Sequence, residues 1–168
     1  MADYSLVRLS RKYDVSQFDC GIEDLNDFLK NDACKNQDDW ISKTWLLYEG
    51  NQLLGYFTLI ADTLHKGNIF LNDKIADYPY VKYPCIKLAR LAVDSRFQHR
   101  GIGTELIIRF FEKAREVVEC EGGRFITVDA KASACGFYEG FGFVQALSRR
   151  SEEIIPMYMD FYKYYSSL

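Results

Sequence analysis

The sequence predicts a mixed α/β fold whose sheet is partly parallel. Two observations carry this. An apolar, strand-like segment over residues 85–93 is followed by a long amphipathic helical pattern and then by the β-branched segment RFITVDA. A strand–helix–strand crossover of that kind joins parallel neighbours. Ahead of it, two apolar runs flank Glu49-Gly50-Asn51 and read as an antiparallel hairpin.

Residues 4–9 form the first expected strand. In FDCGIEDLNDFL, Ile22, Leu25, Phe28 and Leu29 recur at helical spacing, and acids crowd the first turn, where the helix dipole favours them. A helix is predicted over residues 22–34, ended by the polar stretch KNQDDWISK. Residues 44–48 and 52–64 are the hairpin strands. Residues 65–84 read as irregular, with Pro79 and Pro84 as breakers. After the strand at 85–93, Ile102, Leu106, Ile107, Phe110, Phe111, Ala114, Val117 and Val118 mark one helix face, and Gly122-Gly123 closes it. A short helix over 133–139 and strands over 143–147 and 155–162 complete the chain.

A chain of 168 residues is expected to be a single domain with a real core, and its 48% apolar content argues against disorder. The net charge of −3 argues against broad attraction to nucleic acid, without excluding a local basic groove. The start holds no apolar run of signal-peptide length and no segment approaches the length of a bilayer span, so a soluble, cytoplasmic protein without membrane contact is expected. Five scattered cysteines without C-x-x-C spacing read as free buried thiols. Two histidines, His65 and His99, make a histidine-rich metal site an improbable reading, and no metal is expected.

The turn Gln98-His99-Arg100-Gly101-Ile102-Gly103 separates the strand from the long helix. The first amides of a helix have no intrahelical partner and sit at the positive end of its dipole, which suits a pyrophosphate. Gly101 and Gly103 let an anion approach the backbone, and Arg100 adds charge. An ordinary connection with glycines for turning is the plainer reading of these residues alone. The dinucleotide pattern fails, since position 106 is Leu106, and the phosphate-loop pattern is absent.

The stretch LARLAVDSRFQHRGIGTELI resembles the acetyl-CoA-binding segment of the GNAT superfamily of N-acetyltransferases, whose Gln/Arg-x-x-Gly-x-Gly/Ala pattern is met by Gln98, Gly101 and Gly103. A second block, RFITVDAKASACGFYEGFGFV, carries that superfamily's F-Y-x-x-x-G-F pattern from Phe137-Tyr138 to Gly142-Phe143. One departure stands out: Lys131 occupies the position where the family often has Asn, seven residues before the tyrosine.

The resemblance implies a splayed central mixed sheet flanked by helices and an N-acetyltransferase using acetyl-CoA as co-substrate. It implies that Leu91, Ala92 and Val93 pair with pantetheine, as an added strand would. It places Gln98, His99, Arg100, Gly101, Ile102, Gly103 and Thr104 about the cofactor's phosphates. Tyr138 becomes the general acid for the departing thiolate; a phenol near pKa 10 and a thiol near about 8.5 make that transfer close to balanced. The alternative for Tyr138 is packing against the sheet with its hydroxyl bonded to backbone, and Phe137-Tyr138 in this block favours the catalytic role. No general base is assigned among Asp62, Asp129 and Glu105: a solvated or capping carboxylate is the plainer reading of each, and a water chain to bulk is an adequate alternative.

The segment FDCGIEDLNDFL resembles the start of a branch of the superfamily that includes toxins acetylating the amino group of aminoacyl-tRNA. Lys66, Lys74, Lys82, Lys87, Arg90, Arg149 and Arg150 offer cations for RNA, but Asp62, Asp73, Asp77, Glu152 and Glu153 are interspersed. Net acidity therefore favours a small amine, peptide or protein amine over tRNA. A non-catalytic acyl-CoA-binding module is a further alternative, and a homodimer is compatible with the resemblance.

Overall fold

The computed structural model describes residues 2–148 and 151–168. Its strands are β1 (Tyr4–Arg8), β2 (Lys43–Glu49), β3 (Gln52–His65), β4 (Lys82–Val93), β5 (Phe125–Lys131), β6 (Val144–Gln145) and β7 (Ile154–Asp160). They form one sheet in the order β1-β2-β3-β4-β5-β7-β6. β4 and β5 are parallel, from Cys85 beside Phe125 to Leu88 beside Val128, and β1, β2, β6 and β7 pair antiparallel. The crossover predicted from the sequence is therefore present. Contacts divide the chain into two units, Met1–Ile60 with Ala89–Arg115, and Ala61–Leu88 with Glu116–Leu168.

In the first unit, helical structure starts where predicted but runs on, through α1 (Glu23–Asp27), a π turn (Phe28–Asp32) and α2 (Ala33–Asp38). The expected stop in the polar stretch does not occur until after Asp38. The π turn has a packing reason. Phe28, Leu29 and Ala33 are all buried, and a 3.6-residue turn would set Ala33 beside Leu29 but about 140° round the helix from Phe28. The Ala33 N–H instead bonds the Phe28 carbonyl, one residue further on, which keeps all three on the core. They meet Leu9, Phe18, Leu46 and Tyr56, and the Tyr56 hydroxyl donates to the Leu25 carbonyl at 2.7 Å. Each such buried side chain contributes about 2 kcal/mol.

Helix α3 (Ile102–Glu121) buries Ile102, Leu106, Ile107, Phe110, Phe111 and Ala114, the stripe expected from its pattern. Phe110 meets Phe57 edge-on at 5.9 Å. Gly55 of β3 has no room for a side chain: a Cβ there would lie 2.6 Å from the Ala92 carbonyl oxygen and 2.9 Å from Leu106. A glycine at this position lets β3, the end of β4 and α3 approach closely.

In the second unit, Leu64, Ile69, Tyr83, Cys85, Phe125, Ala146 and Tyr158 form the core. Four sequence expectations are corrected here. β4 starts at Lys82 rather than 85, with Pro84 inside it; proline cannot donate, but its carbonyl accepts the Arg124 N–H at 2.9 Å. The irregular stretch before it is pinned by two phenols: Tyr158 accepts the Phe70 N–H and donates to Asp73, and Tyr83 accepts the Ile75 N–H. The last strand stops at Asp160, whose carboxylate caps α5 (Phe161–Ser166) through the Lys163 N–H and receives the forked Arg124 guanidinium at 2.9 and 3.0 Å. β6 is also shorter than expected. All five cysteines are free, but only Cys20, Cys85 and Cys135 are buried; Cys120 is exposed.

Candidate functional site

The first unit carries the turn before α3. β4 ends at Val93, and the buried Asp94 that follows fixes the chain's exit. Its carboxylate accepts from the Arg96 N–H at 3.0 Å, from the Arg96 guanidinium at 2.9 and 3.0 Å, and from the Asp19 N–H at 3.2 Å. Burial alone would raise its pKa; the Arg96 side chain and the two backbone donors outweigh burial and hold it below the usual carboxylate range. The Asp94 N–H bonds Leu54, and Ser95 bonds the Asp19 carbonyl through both its N–H and its hydroxyl.

Gln98 lies at the centre of the turn. Its amide donates to the carbonyls of Cys20 and Val93, both at 3.0 Å. Of the residues expected to face phosphate, Gln98 is thus committed to shaping the turn. His99 and Gly101 both take left-handed backbone angles, φ 61° and 81°. Nothing lies within 4 Å of where a Gly101 Cβ would project, so the backbone there is open to approach. The Gly101 carbonyl accepts the Glu105 N–H, which starts the helical bonding of α3. The amides of Ile102, Gly103 and Thr104 precede that bond and stand at the positive end of a 20-residue helix. The Ile102 and Ala92 side chains are in the core, so only their backbones can meet a ligand. Leu91 and Val93 are half-buried, Arg100 and Thr104 exposed. Glu105 is paired with Arg109 at 2.8 Å.

The second unit carries Tyr138 on α4 (Cys135–Glu139). Its ring is clamped edge-on between Phe137 and Phe143. The side chain is 8% exposed and burial pushes its phenol up to about 12. The packing reading implied a hydroxyl bonded to backbone, and no protein partner for it is found among the described residues. It is not sealed either, since the only fully buried orphan polar atom among them is the Ser42 hydroxyl. Tyr138 therefore keeps an uncommitted donor among the described residues. Lys131 ends β5 and is exposed.

The same unit holds a pocket of about 80 Å³ that sequence reading did not assemble. Asp62 of β3, Lys87 of β4, and Thr127 and Asp129 of β5 converge on it. Lys87 Nζ is 2.6 Å from Asp129 and 4.0 Å from Asp62, and the Thr127 hydroxyl donates to Asp62 at 3.0 Å. Asp62 and Asp129 were visible as candidates; the alternation of Lys87 with buried neighbours and of Thr127 with Asp129 on one strand face was the available signal. Asp94 and Asp19 were missed as the turn's anchors, though an aspartate directly after an apolar strand and two before an arginine is a capping pattern.

Among the described residues, no three His, Cys, Asp or Glu side chains are grouped to hold a metal ion, and no helix is long and apolar enough to cross a membrane.

The chain is similar to proteins of known fold and family. A tRNA-acetylating toxin of Mycobacterium tuberculosis (strain ATCC 25618 / H37Rv) is 28% identical over 145 residues, 85% of this chain and 86% of that protein. The crystal structure of a tyrosine-to-phenylalanine mutant of KacT is similar with a TM-score of 0.87 at 26% identity, over 98% of this chain and 99% of that one. AtaT complexed with acetyl-methionyl-tRNAfMet also gives 0.87, at 24% identity over 98% and 99%, a likeness of fold. The profile of the acetyltransferase (GNAT) family matches residues 8–143, which take in both the turn before α3 and Tyr138 on α4, and the chain belongs to that family.

Proposed function

We propose that this acetyltransferase moves the acetyl group of acetyl-CoA onto the amino group of an aminoacyl-tRNA. The observation that carries the acceptor is the likeness, over 85% of the chain, to a protein named for acetylating tRNA. Net acidity favours a small amine instead, but net charge averages over the surface. Lys30, Lys66, Lys74, Lys82, Arg90 and Lys131 form no ion pair among the described residues, whereas Lys35, Lys87, Arg96, Arg109, Arg124 and Lys163 do. The unpaired set is available to phosphates. Arg149 and Arg150 lie outside the described residues.

The residues present fit the donor. The open backbone at Gly101 and the amides of Ile102, Gly103 and Thr104 suit a pyrophosphate, with His99 and Arg100 beside them and Gln98 holding the turn. The backbone of Leu91, Ala92 and Val93 would pair with pantetheine amides. Chemically, the amine nitrogen forms the N–C bond to the acetyl carbon, the C–S bond breaks, and the CoA thiolate needs a proton. Tyr138 would supply it. A phenol near 12 lies about 3.5 units above a free thiol, so transfer is less balanced than the sequence suggests; the phenol first donates a hydrogen bond to the forming thiolate, and the proton it passes on is returned to it by solvent.

The test is acetyl transfer from labelled acetyl-CoA across a panel of charged tRNAs, uncharged tRNA, polyamines, amino acids and peptides. Label on the amino group of charged tRNA is expected. Transfer to small amines alone would restore the acceptor class that net charge favours. Tight acetyl-CoA binding without transfer to any amine would leave a binding module.

A further inference from the structure

We propose that the pocket lined by Asp62, His65, Asn68, Lys87, Thr127 and Asp129 receives the acceptor, and that Asp62 is the carboxylate that holds the attacking amino group and takes its proton. This deepens the transferase reading above and rests on it.

The structure separates three carboxylates that are equivalent in the sequence. Glu105 is neutralised by Arg109 at 2.8 Å, and Asp129 by Lys87 at 2.6 Å. Asp62 keeps only a neutral hydroxyl donor, Thr127 at 3.0 Å, and an ammonium 4.0 Å away, both on Oδ2. Its Oδ1 has no partner among the described residues. Its side chain is 31% exposed, so a ligand in the pocket can reach it. Thr127 fixes the carboxylate's rotamer without cancelling its charge.

Charge and size then define the ligand. Two carboxylates and one ammonium leave an excess of one negative charge, which attracts a cationic amine and repels phosphate. A volume of about 80 Å³ admits an aminomethylene head with a water or two. Lys87 lies between the two acids, 2.6 Å from Asp129 and 4.0 Å from Asp62. In the step itself the nitrogen forms its bond to the acetyl carbon and the C–S bond breaks. An ammonium that enters first gives one proton to solvent, which frees the lone pair that attacks; the nitrogen's second proton passes to Asp62 Oδ1, the thiolate takes a proton from Tyr138 or water, and the Asp62 carboxyl then returns its proton to solvent, from which the Tyr138 phenolate is reprotonated.

The test compares wild type with Asp62→Asn, Asp62→Ala and Thr127→Val, each checked for melting temperature and acetyl-CoA affinity. Asp62→Asn keeps the shape and is expected to fold and bind acetyl-CoA normally while kcat falls about 10²-fold or more, the usual worth of a positioned base. Added formate is expected to restore part of the rate of Asp62→Ala but not of Asp62→Asn. Thr127→Val leaves the carboxylate free to rotate and is expected to lose less. Should Asp62→Asn not fold, unchanged kcat in Thr127→Val overturns the assignment. Rates are read on charged tRNA and on small amines side by side. Undiminished transfer to charged tRNA by Asp62→Asn overturns the pocket and leaves the tRNA reading standing. A wild type that acetylates only small amines, with the rate lost in Asp62→Asn, supports the pocket and removes the tRNA reading.

Discussion

The Gln98 side-chain amide donates to the Cys20 carbonyl at 3.0 Å across 78 residues of sequence, and the same nitrogen also bonds Val93. The glycine turn is thereby bolted at once to the strand it leaves and to the FDCG segment. Asp19 adds to the bolt: its N–H bonds Asp94 and its carbonyl accepts from Ser95. The FDCG segment thus has a mechanical task, which is to hold the turn before α3 in shape.

Replacing Gln98 with Ala removes both bonds, each worth about 1 kcal/mol net. The turn should loosen while both cores stay packed. Acetyl-CoA affinity is expected to drop by about tenfold with only a small change in melting temperature. Calorimetric titration of the folded variant measures this, and unchanged affinity would show that the turn holds its shape without Gln98.

Two glycines should respond in opposite ways. Gly55→Ala places a methyl 2.6 Å from the Ala92 carbonyl oxygen, so strands must shift. A loss of about 1–3 kcal/mol in chemical denaturation is expected. Gly101→Val meets no atom within 4 Å but forces a β-branched residue into φ 81° and projects it over the anion-facing backbone. Its fold should lose about 1–2 kcal/mol and its acetyl-CoA binding much more. Normal binding by folded Gly101→Val would move the phosphate site elsewhere.

Stability should fall at both ends of the pH scale, for different groups. Asp94 has a folded pKa held below its ordinary value of 3.8. The contribution is complete above about pH 4 and is lost as pH drops through the folded value. Asp94→Asn should therefore melt below wild type at neutral pH, with the gap closing as the solution is acidified. Tyr138 has a folded pKa raised from 10.0 to about 12 by burial. Its share is complete below pH 10 and is lost between about 10 and 12. Wild type and Tyr138→Phe should melt alike near neutral pH, and wild type should fall below the variant as pH rises from about 10 to 12. Parallel curves would mean that the phenol is solvated in the folded protein.

The crossover, the hairpin and α3 were legible because each follows from local periodicity: β-branched runs of strand length and one apolar stripe. The π turn was not, because it arises from Phe28, Leu29 and Ala33 competing for one core face, which is a tertiary fact. The α5 cap at Asp160 was hidden for the same kind of reason, since FYKYY is as good a strand as a helix until Arg124 fixes Asp160. At the site, glycines and Tyr138 stand out in sequence because their chemistry is distinctive. Which of Asp62, Asp129 and Glu105 keeps a free oxygen depends on where Lys87 and Arg109 point, and residue spacing along the chain does not encode that.

Tyr138→Phe decides the general-acid role. The substitution keeps the ring between Phe137 and Phe143 and deletes only the hydroxyl, which has no protein partner among the described residues. A merely structural phenol would then cost almost nothing to remove, and the variant should melt like wild type at neutral pH. If the phenol donates to the thiolate, the transfer rate should fall by about 10²–10⁴ with acetyl-CoA affinity nearly unchanged, because the bond matters in the transition state and not in binding. The wild-type rate should also show no alkaline decline from this group below pH 11, since burial keeps the phenol protonated up to about 12. Single-turnover acetyl transfer on the folded variant separates chemistry from product release. Wild-type rates there would retire Tyr138 as the acid and leave water to protonate the thiolate.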